Sequence, residues 1–379
     1  MLYLDYNATT PVDSRVADAM LPFLRDHFGN PSSNHALGRI SRQAIDKARL
    51  QVGQFLGVQP DEIIFTSSGT EANNHAIIGA ALANSERGKH IVTCNVEHPA
   101  VTEVCRYLET RGFTFTEVKV DSYGMVSVED VAAALTSETT LVTIMLANNE
   151  VGTIQPIKEI ANLVRPKGII MHTDCAQAVG KIPVNLSDLN VDMISVASHK
   201  LYGPKGVGVL CIRDGIELPN LMHGAGHENG RRPGTENILE IVGLGEACRL
   251  ADEDLGDELP RLKKLRNHLE KSLLEIFPSA RVNGHPEKRL PNTLSISFHD
   301  LRSDEIVAAM PEVAISTGAA CHGGGPVASR VLTNMGVPVE WALGTLRISL
   351  GRMTTLAEVD WGIEEIARAV NVVQKRTRI

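Results

Sequence analysis

"GIIMHTDCAQAVGKIPVNLSDLNVDMISVASHKLYGPKGVGVLCI", residues 168–212, contains three short apolar runs: GIIMHTD (168–174), DMISVA (192–197) and GVGVLCI (206–212). Each is apolar almost throughout instead of alternating with polar residues, which fits strands buried on both faces of a sheet. The same texture extends upstream, at EIIF (62–65), HIVTC (90–94), FTFTEVKV (113–120) and LVTIMLA (141–147). Helical patterns lie between most of these runs, at 71–84, 99–111, 127–135 and 157–164. Strands alternating with helices predict an α/β fold, with a mostly parallel, seven-stranded sheet covered by helices on both faces. After about residue 250 the texture changes. A charged helical stretch runs through DELPRLKKLRNHLEKSLLEIF (257–277). It is followed by strands NTLSISF (292–298), VAIST (313–317) and TLRISLG (345–351) and a final helix from 355. This predicts a smaller α+β domain at the C-terminal end. The expected division is 13–250 for the large domain and 1–12 with 251–379 for the small one. No Ser/Gly-rich linker separates them, so they should share a large interface.

The bulk numbers narrow the partners. The 379 residues are 43% hydrophobic and 22% charged, with a formal net charge of -8 and no long basic run. Nucleic acid and anionic membrane surfaces are therefore poor direct partners. No stretch approaches the roughly 20 apolar residues of a membrane span. The opening MLYLDYNATTP lacks the basic and apolar segments of a signal peptide. Six scattered cysteines, with no Cys-x-x-Cys pair, read as reduced thiols, and the expected location is the cytoplasm. No metal-ligand spacing such as His-Glu-x-x-His is present.

Three segments could carry chemistry. TSSGTEANN (66–74) follows a strand and opens a helix. Its backbone N–H groups, with the hydroxyls of Ser67, Ser68 and Thr70, make a pocket for phosphate; the plainer reading is a well-capped helix. In HTDCAQAVGK (172–181), Asp174 ends an apolar strand, where ligands bind in open α/β sheets. A carboxylate there needs a cationic partner, unless it simply caps the next turn. In SVASHKLYGPKGVG (195–208), His199 and Lys200 lie just past another strand end. A lysine desolvated in a cleft there becomes nucleophilic, while the plainer and, for an isolated lysine, commoner reading is a surface lysine in a loop. Together, the phosphate pocket, the strand-end carboxylate and the lysine meet the needs of pyridoxal 5'-phosphate: an anchor, a group that keeps the pyridine nitrogen protonated, and an amine to bind the aldehyde. A fourth segment, AISTGAACHGGG (314–325), sets Cys321 beside His322 and Gly323–Gly325, ahead of a stretch that reads as a helix from near Pro326. Glycines beside a thiol suggest a loop with reach. By itself, a single cysteine is more often a small packing residue.

These segments, with YLDYNATTPVD (3–13), GNPSSNHALG (29–38), EHPA, LANNEVGTIQP, GAGHENGRRPGTEN and LRISLGRMTTLAEVD, run through nearly the whole chain in family order. The sequence resembles the class V, fold-type I pyridoxal-phosphate enzymes, specifically the NifS-like cysteine desulfurases and selenocysteine lyases. The resemblance implies a role for each matched position. Lys200 is the cofactor-binding lysine, Asp174 the partner of the pyridine nitrogen and Gln177 the ligand of the ring hydroxyl. His98 stacks on the ring and assists proton transfer. Gly69, Thr70 and His199 hold the phosphate, and Thr235 reaches the partner subunit's phosphate in a homodimer. Asn149 lies near substrate and cofactor, Arg347 grips the substrate carboxylate and Cys321 is the catalytic thiol. One position departs: relatives often read Ser-x-His-Lys, whereas Ala197 stands first here, with Ser198 one residue off. The implied activity is removal of sulfur from L-cysteine, with L-alanine released and a persulfide left on Cys321 for a protein acceptor. The alternatives are release of selenium from L-selenocysteine and, more distantly, a class V aminotransferase.

Overall fold

The computed structural model describes residues 1–322 and 325–377, the side chains of 319–326 and 377 excepted. The chain opens on a two-residue strand, β1 (Leu2–Tyr3), and two helices, α1 (Ser14–Arg25) and α2 (Ala36–Leu56). Neither helix stands out as a periodic segment in the sequence reading. Asp13 caps α1 by accepting from the Arg15 N–H, and α2 ends on Gly57 in the left-handed region, a conformation in which glycine avoids the Cβ penalty.

The large sheet is built from β2 (Ile63–Thr66), β3 (His90–Cys94), β4 (Thr114–Val118), β5 (Thr139–Thr143), β6 (Ile170–Asp174), β7 (Met193–Ala197) and β8 (Gly208–Ile212). Their order across the sheet is β2-β8-β7-β6-β5-β3-β4. The pairs from β4 through β7 are parallel, and only β8 runs against its neighbours. Every residue of β2, β3, β5, β6, β7 and β8 is buried, whereas edge strand β4 alternates. The unbroken apolar runs thus correspond to burial from both sides. On one face Ile64, Ile91, Leu141 and Leu210 pack with residues of the helices Gly69–Ala83 and Pro99–Glu109. On the other, Val92, Val142, Ile194 and Val209 join the larger core under α2. Each such side chain contributes about 1.5–3 kcal/mol on leaving water.

A second, antiparallel sheet is formed by β9 (Arg281–Asn283), β10 (Thr293–Ser297), β12 (Ser316–Thr317) and β15 (Thr345–Ser349), in the order β12-β15-β10-β9. The VAIST run is divided. Its first part is β11 (Val313–Ala314), parallel to β1, and its second is β12. A hairpin, β13 (Ala319–His322) with β14 (Gly325–Ala328), joins neither large sheet. The segment from Pro326 is therefore strand, not helix: Pro326 lies opposite Cys321, and the helix begins only at Arg330, with Ser329 as its cap. One 39-residue helix, Ile238–Ile276, runs past residue 250. Its first half, through Ala251, packs into the core of the large sheet. Its second, from Leu262, packs with Leu2, Leu4, Ile296 and Ile348 in a separate core. Pro260 falls between the two.

Candidate active site

The carboxyl ends of β6 and β7 open into a cavity of about 350 Å³. Asp174, Gln177, His98, Asn149, His199, Lys200, Gly69, Thr70 and Arg347 all line it, so nine side chains or backbones picked from the sequence converge on one space. Asp174 is the last residue of β6 and is buried. Its Oδ2 accepts from Asn73 Nδ2 at 2.7 Å and its Oδ1 from the Ala176 N–H at 2.8 Å. The carboxylate is thus held by donors of the next turn and of the helix Gly69–Ala83.

That helix starts at the cavity wall. Ser68 is its cap, accepting from the Glu71 N–H at 3.1 Å, while Glu71 accepts from the Ser67 N–H at 2.8 Å. Both hydroxyl cap and carboxylate are occupied, and the N–H groups that follow remain as anion donors. A Cβ placed on Gly69 would stand 3.1 Å from Ala197 Cβ, so a side chain here would crowd the turn after β7. Ala197 presents only its methyl, and Ser198 does not replace the missing hydroxyl. Its Oγ is buried, without a hydrogen-bond partner, and packed against Gly203.

Lys200 ends the short turn after β7. Its Nζ donates to the carbonyls of Asn7 and Ala8, both at 2.7 Å. Burial, reinforced by the Arg347 guanidinium, lowers its pKa from 10.5 to about 8. A lysine so depressed supplies a neutral amine near neutral pH. His199 Nδ1 lies 3.1 Å from Thr9 Oγ1, and burial with the Lys200 charge lowers its pKa to about 4. His98 caps the helix Pro99–Glu109, its Nδ1 accepting from the Ala100 N–H at 3.1 Å. The proton of the neutral ring therefore sits on Nε2. Burial also lowers the His98 pKa. Behind it Glu97, fully buried, accepts from the Met145 N–H at 2.7 Å and the Cys94 thiol at 3.0 Å. Burial raises its carboxyl to about 8.

Arg347, on β15, reaches in from the second sheet. Nη1 donates to the Asn149 carbonyl at 3.2 Å, and Nη2 to Asp5 Oδ1 at 2.8 Å and Ser316 Oγ at 2.6 Å. Its buried Nε has no partner. A second cavity of about 440 Å³ shares Arg347 and Asn149 with the first and is bounded by Val327 and Ala328 of β14. The hairpin bearing Cys321 therefore stands on the arginine side of the site. The Cys321 and His322 side chains and Gly323–Gly324 lie outside the described residues. The five other cysteines are buried. Thr235 is exposed and does not line the cavity.

The sequence reading missed Asp5, Asn7, Asn73, Lys181 and Ser316. Asn7 is the hub. Its carbonyl accepts from Lys200 and from Gln177 Nε2 (2.9 Å), and its Nδ2 donates to the Asn149 carbonyl (3.2 Å) and Thr293 Oγ1 (2.9 Å). Its N–H donates to Ser349 Oγ at 2.9 Å. The one available signal was a polar pair, Asp5 and Asn7, directly after an apolar start. The donor set fits pyridoxal 5'-phosphate: helix N–H groups for its phosphate, Asp174 for its ring nitrogen and a depressed lysine for its aldehyde.

The family model described as Aminotransferase class-V matches residues 2–361. The chain is 44% identical over 371 residues to "Cysteine desulfurase IscS" of Methanosarcina thermophila, covering 97% of this chain and 92% of the relative. A solved structure described as "NIFS-LIKE PROTEIN" superposes with a TM-score of 0.92 at 39% identity, covering 98% of this chain and 99% of its own. Another, "SspA in complex with cysteine", gives a TM-score of 0.82 at 37% identity, covering 92% and 99%.

Proposed function

Because the chain belongs to the class-V aminotransferase family, we propose that it is a pyridoxal 5'-phosphate-dependent cysteine desulfurase. It takes sulfur from L-cysteine, releases L-alanine and keeps the sulfur as a persulfide on Cys321. The observation that carries this reading is the convergence of Lys200, Asp174, His98 and Arg347 on one cavity.

When bound, the cofactor supplies an electron sink for the bonds at the substrate α-carbon. The chain's own residues do the rest. The N–H groups at Gly69 and Thr70, with His199, hold the phosphate. Asp174, fixed by Asn73 and Ala176, keeps a proton on the ring nitrogen. Gln177 would donate to the ring oxygen, and His98, whose Nε2 carries the proton of the neutral ring, would assist proton transfer. Lys200, with its depressed pKa, holds the cofactor and moves the proton at the α-carbon. Arg347 binds the substrate carboxylate with its free N–H groups while Asp5 and Ser316 hold the other side of the guanidinium; charge-assisted bonds of this kind are the strong ones. Asn149 borders both substrate and cofactor. Cys321, as thiolate, attacks the substrate sulfur, forming an S–S bond as the C–S bond breaks.

Thr235, exposed and outside this chain's own cavity, is assigned to the phosphate of a second subunit, making the enzyme a homodimer. A protein acceptor collects the sulfur. Among the described residues no helix is long and apolar enough to cross a membrane, and we assign the enzyme to the cytoplasm. We also propose the division of the chain at 250/251; the two cores that share the helix Ile238–Ile276 support a boundary within that helix, between Ala251 and Leu262, although Leu290, Val331 and Leu332 pack into the first core.

The test is direct. Purified protein with pyridoxal phosphate and L-cysteine should yield alanine and sulfide in equal amounts under reducing conditions. Fast turnover of L-selenocysteine beside negligible alanine from cysteine would overturn the substrate assignment.

A further inference from the structure

Lys181 has no part in the function proposed above, yet its ammonium is buried beside the site. The residue is 6% exposed, and Nζ donates to Gln177 Oε1 at 2.7 Å and Asn7 Oδ1 at 3.2 Å. Both partners are neutral, and among the described residues no carboxylate pairs with it. Burial, with the neighbouring cations Lys200 and Arg347, pushes its pKa well below the usual lysine range. A buried ammonium without a counter-ion is unfavourable, so its place calls for a reason.

The reason lies in the Gln177 amide. An amide has one accepting end and one donating end, and its neighbours decide which way it faces. With Oε1 occupied by Lys181, Nε2 is turned to the Asn7 carbonyl at 2.9 Å. Nε2 carries two N–H groups, and Gln177 lines the cavity; one N–H is used on Asn7 and the second is free. A flipped amide would set oxygen against the Asn7 carbonyl and turn N–H toward Nζ, losing both present bonds. The turn that brings Lys181 back over Gln177 passes through Gly180, at φ +74°, which a residue with a Cβ adopts only under strain.

We propose that Lys181 is a positioning residue of the cofactor site: it locks the Gln177 amide with its N–H side toward the cavity, so that the ring oxygen of pyridoxal phosphate meets a donor. This rests on the reading of the cavity as a pyridoxal-phosphate site. Lys181 acts through Gln177 as a hydrogen-bond donor and not through its charge.

The test is the pH midpoint of the bound cofactor's visible absorbance, which rises when the ring oxygen loses a donor. Lys181→Met should raise the midpoint by about one pH unit. Gln177→Ala should raise it equally, and the double variant no further. Lys181→Gln, a neutral donor, should keep the wild-type midpoint. An unchanged midpoint in Lys181→Met, or a full additional rise on the Gln177→Ala background, overturns the inference. If Lys181→Met fails to fold, Lys181→Gln still decides: a midpoint displaced as far as in Gln177→Ala overturns it. A wild-type protein that took up no cofactor would instead overturn the functional reading, and this inference with it.

Discussion

Asp174 and Lys200 leave from β6 and β7 in the interior of a seven-stranded sheet, and each is held by two hydrogen bonds from other elements. Cys321 sits on β13, whose backbone pairs only with β14 among the described residues. One foot of that hairpin leads from β12, where Ser316 bonds both Arg347 and Asp5. At the other, the Ser329 hydroxyl donates to Glu150. Asp174, Lys200, Gln177 and His98 of the cavity wall are thus each fixed by hydrogen bonds, and the described ties of the hairpin lie at its two feet. Proton transfer at carbon needs groups held within a fraction of an ångström. Handing sulfur to a partner needs a thiol that is not built into that wall.

The wall carries the largest expected effect. Lys200→Ala should lower turnover by on the order of 10⁵-fold, read as alanine formation, with folding retained by circular dichroism. Cys321→Ala acts on the hairpin alone. Sulfide release should fall about 10⁴-fold while the cofactor's absorbance stays at wild-type strength; an equal loss of cofactor would join the two regions again. Arg347→Ala, at the junction, should cost about 10³-fold in kcat/KM, chiefly in KM, as loss of a buried charge partner does. The wall also has a pH signature. The folded chain holds the Glu97 carboxyl at about 8 instead of 4.5, so it keeps a proton that the unfolded chain releases. This stabilisation is full below pH 4.5 and is lost as pH rises to about 8. The cofactor-free protein should lose on the order of 5 kcal/mol across that window by denaturant titration, and Glu97→Gln should flatten the slope. The smallest effect belongs to the hairpin foot. Ser329→Ala, which removes both the bond to Glu150 and the cap of the helix at Arg330, should slow persulfide formation about tenfold, with cofactor binding unchanged.

What could be read from the sequence follows the same line. β3 falls on HIVTC and β6 on the end of GIIMHTD because an unbroken apolar run has only one place in such a sheet. Asp174 and Lys200 were legible because a polar residue at the end of such a run faces the cleft. Asp5 and Asn7 were not, since their partners lie 142 to 342 residues away and no local pattern encodes that. Lys181 was hidden for a different reason: it sits in a quoted motif, but a lysine gives no sign in sequence of whether its ammonium faces water or Gln177. The stretch after Cys321 has helical spacing, yet the pairing of Cys321 with Pro326 makes it strand and delays the helix to Arg330. Tertiary pairing overrode a weak local preference.

The hub at Asn7 bears on how the enzyme is made. Its segment leaves the ribosome well before its partners: β1 waits for β11 at Val313, and the Asn7 N–H waits for the hydroxyl of Ser349. A nascent chain emerges at about 5–20 residues per second. The large sheet can therefore be complete for many seconds while the carbonyl that Lys200 and Gln177 share is still unplaced. Cofactor capture thus becomes a late event in biosynthesis, and a translation product truncated before Ser349 should remain colourless.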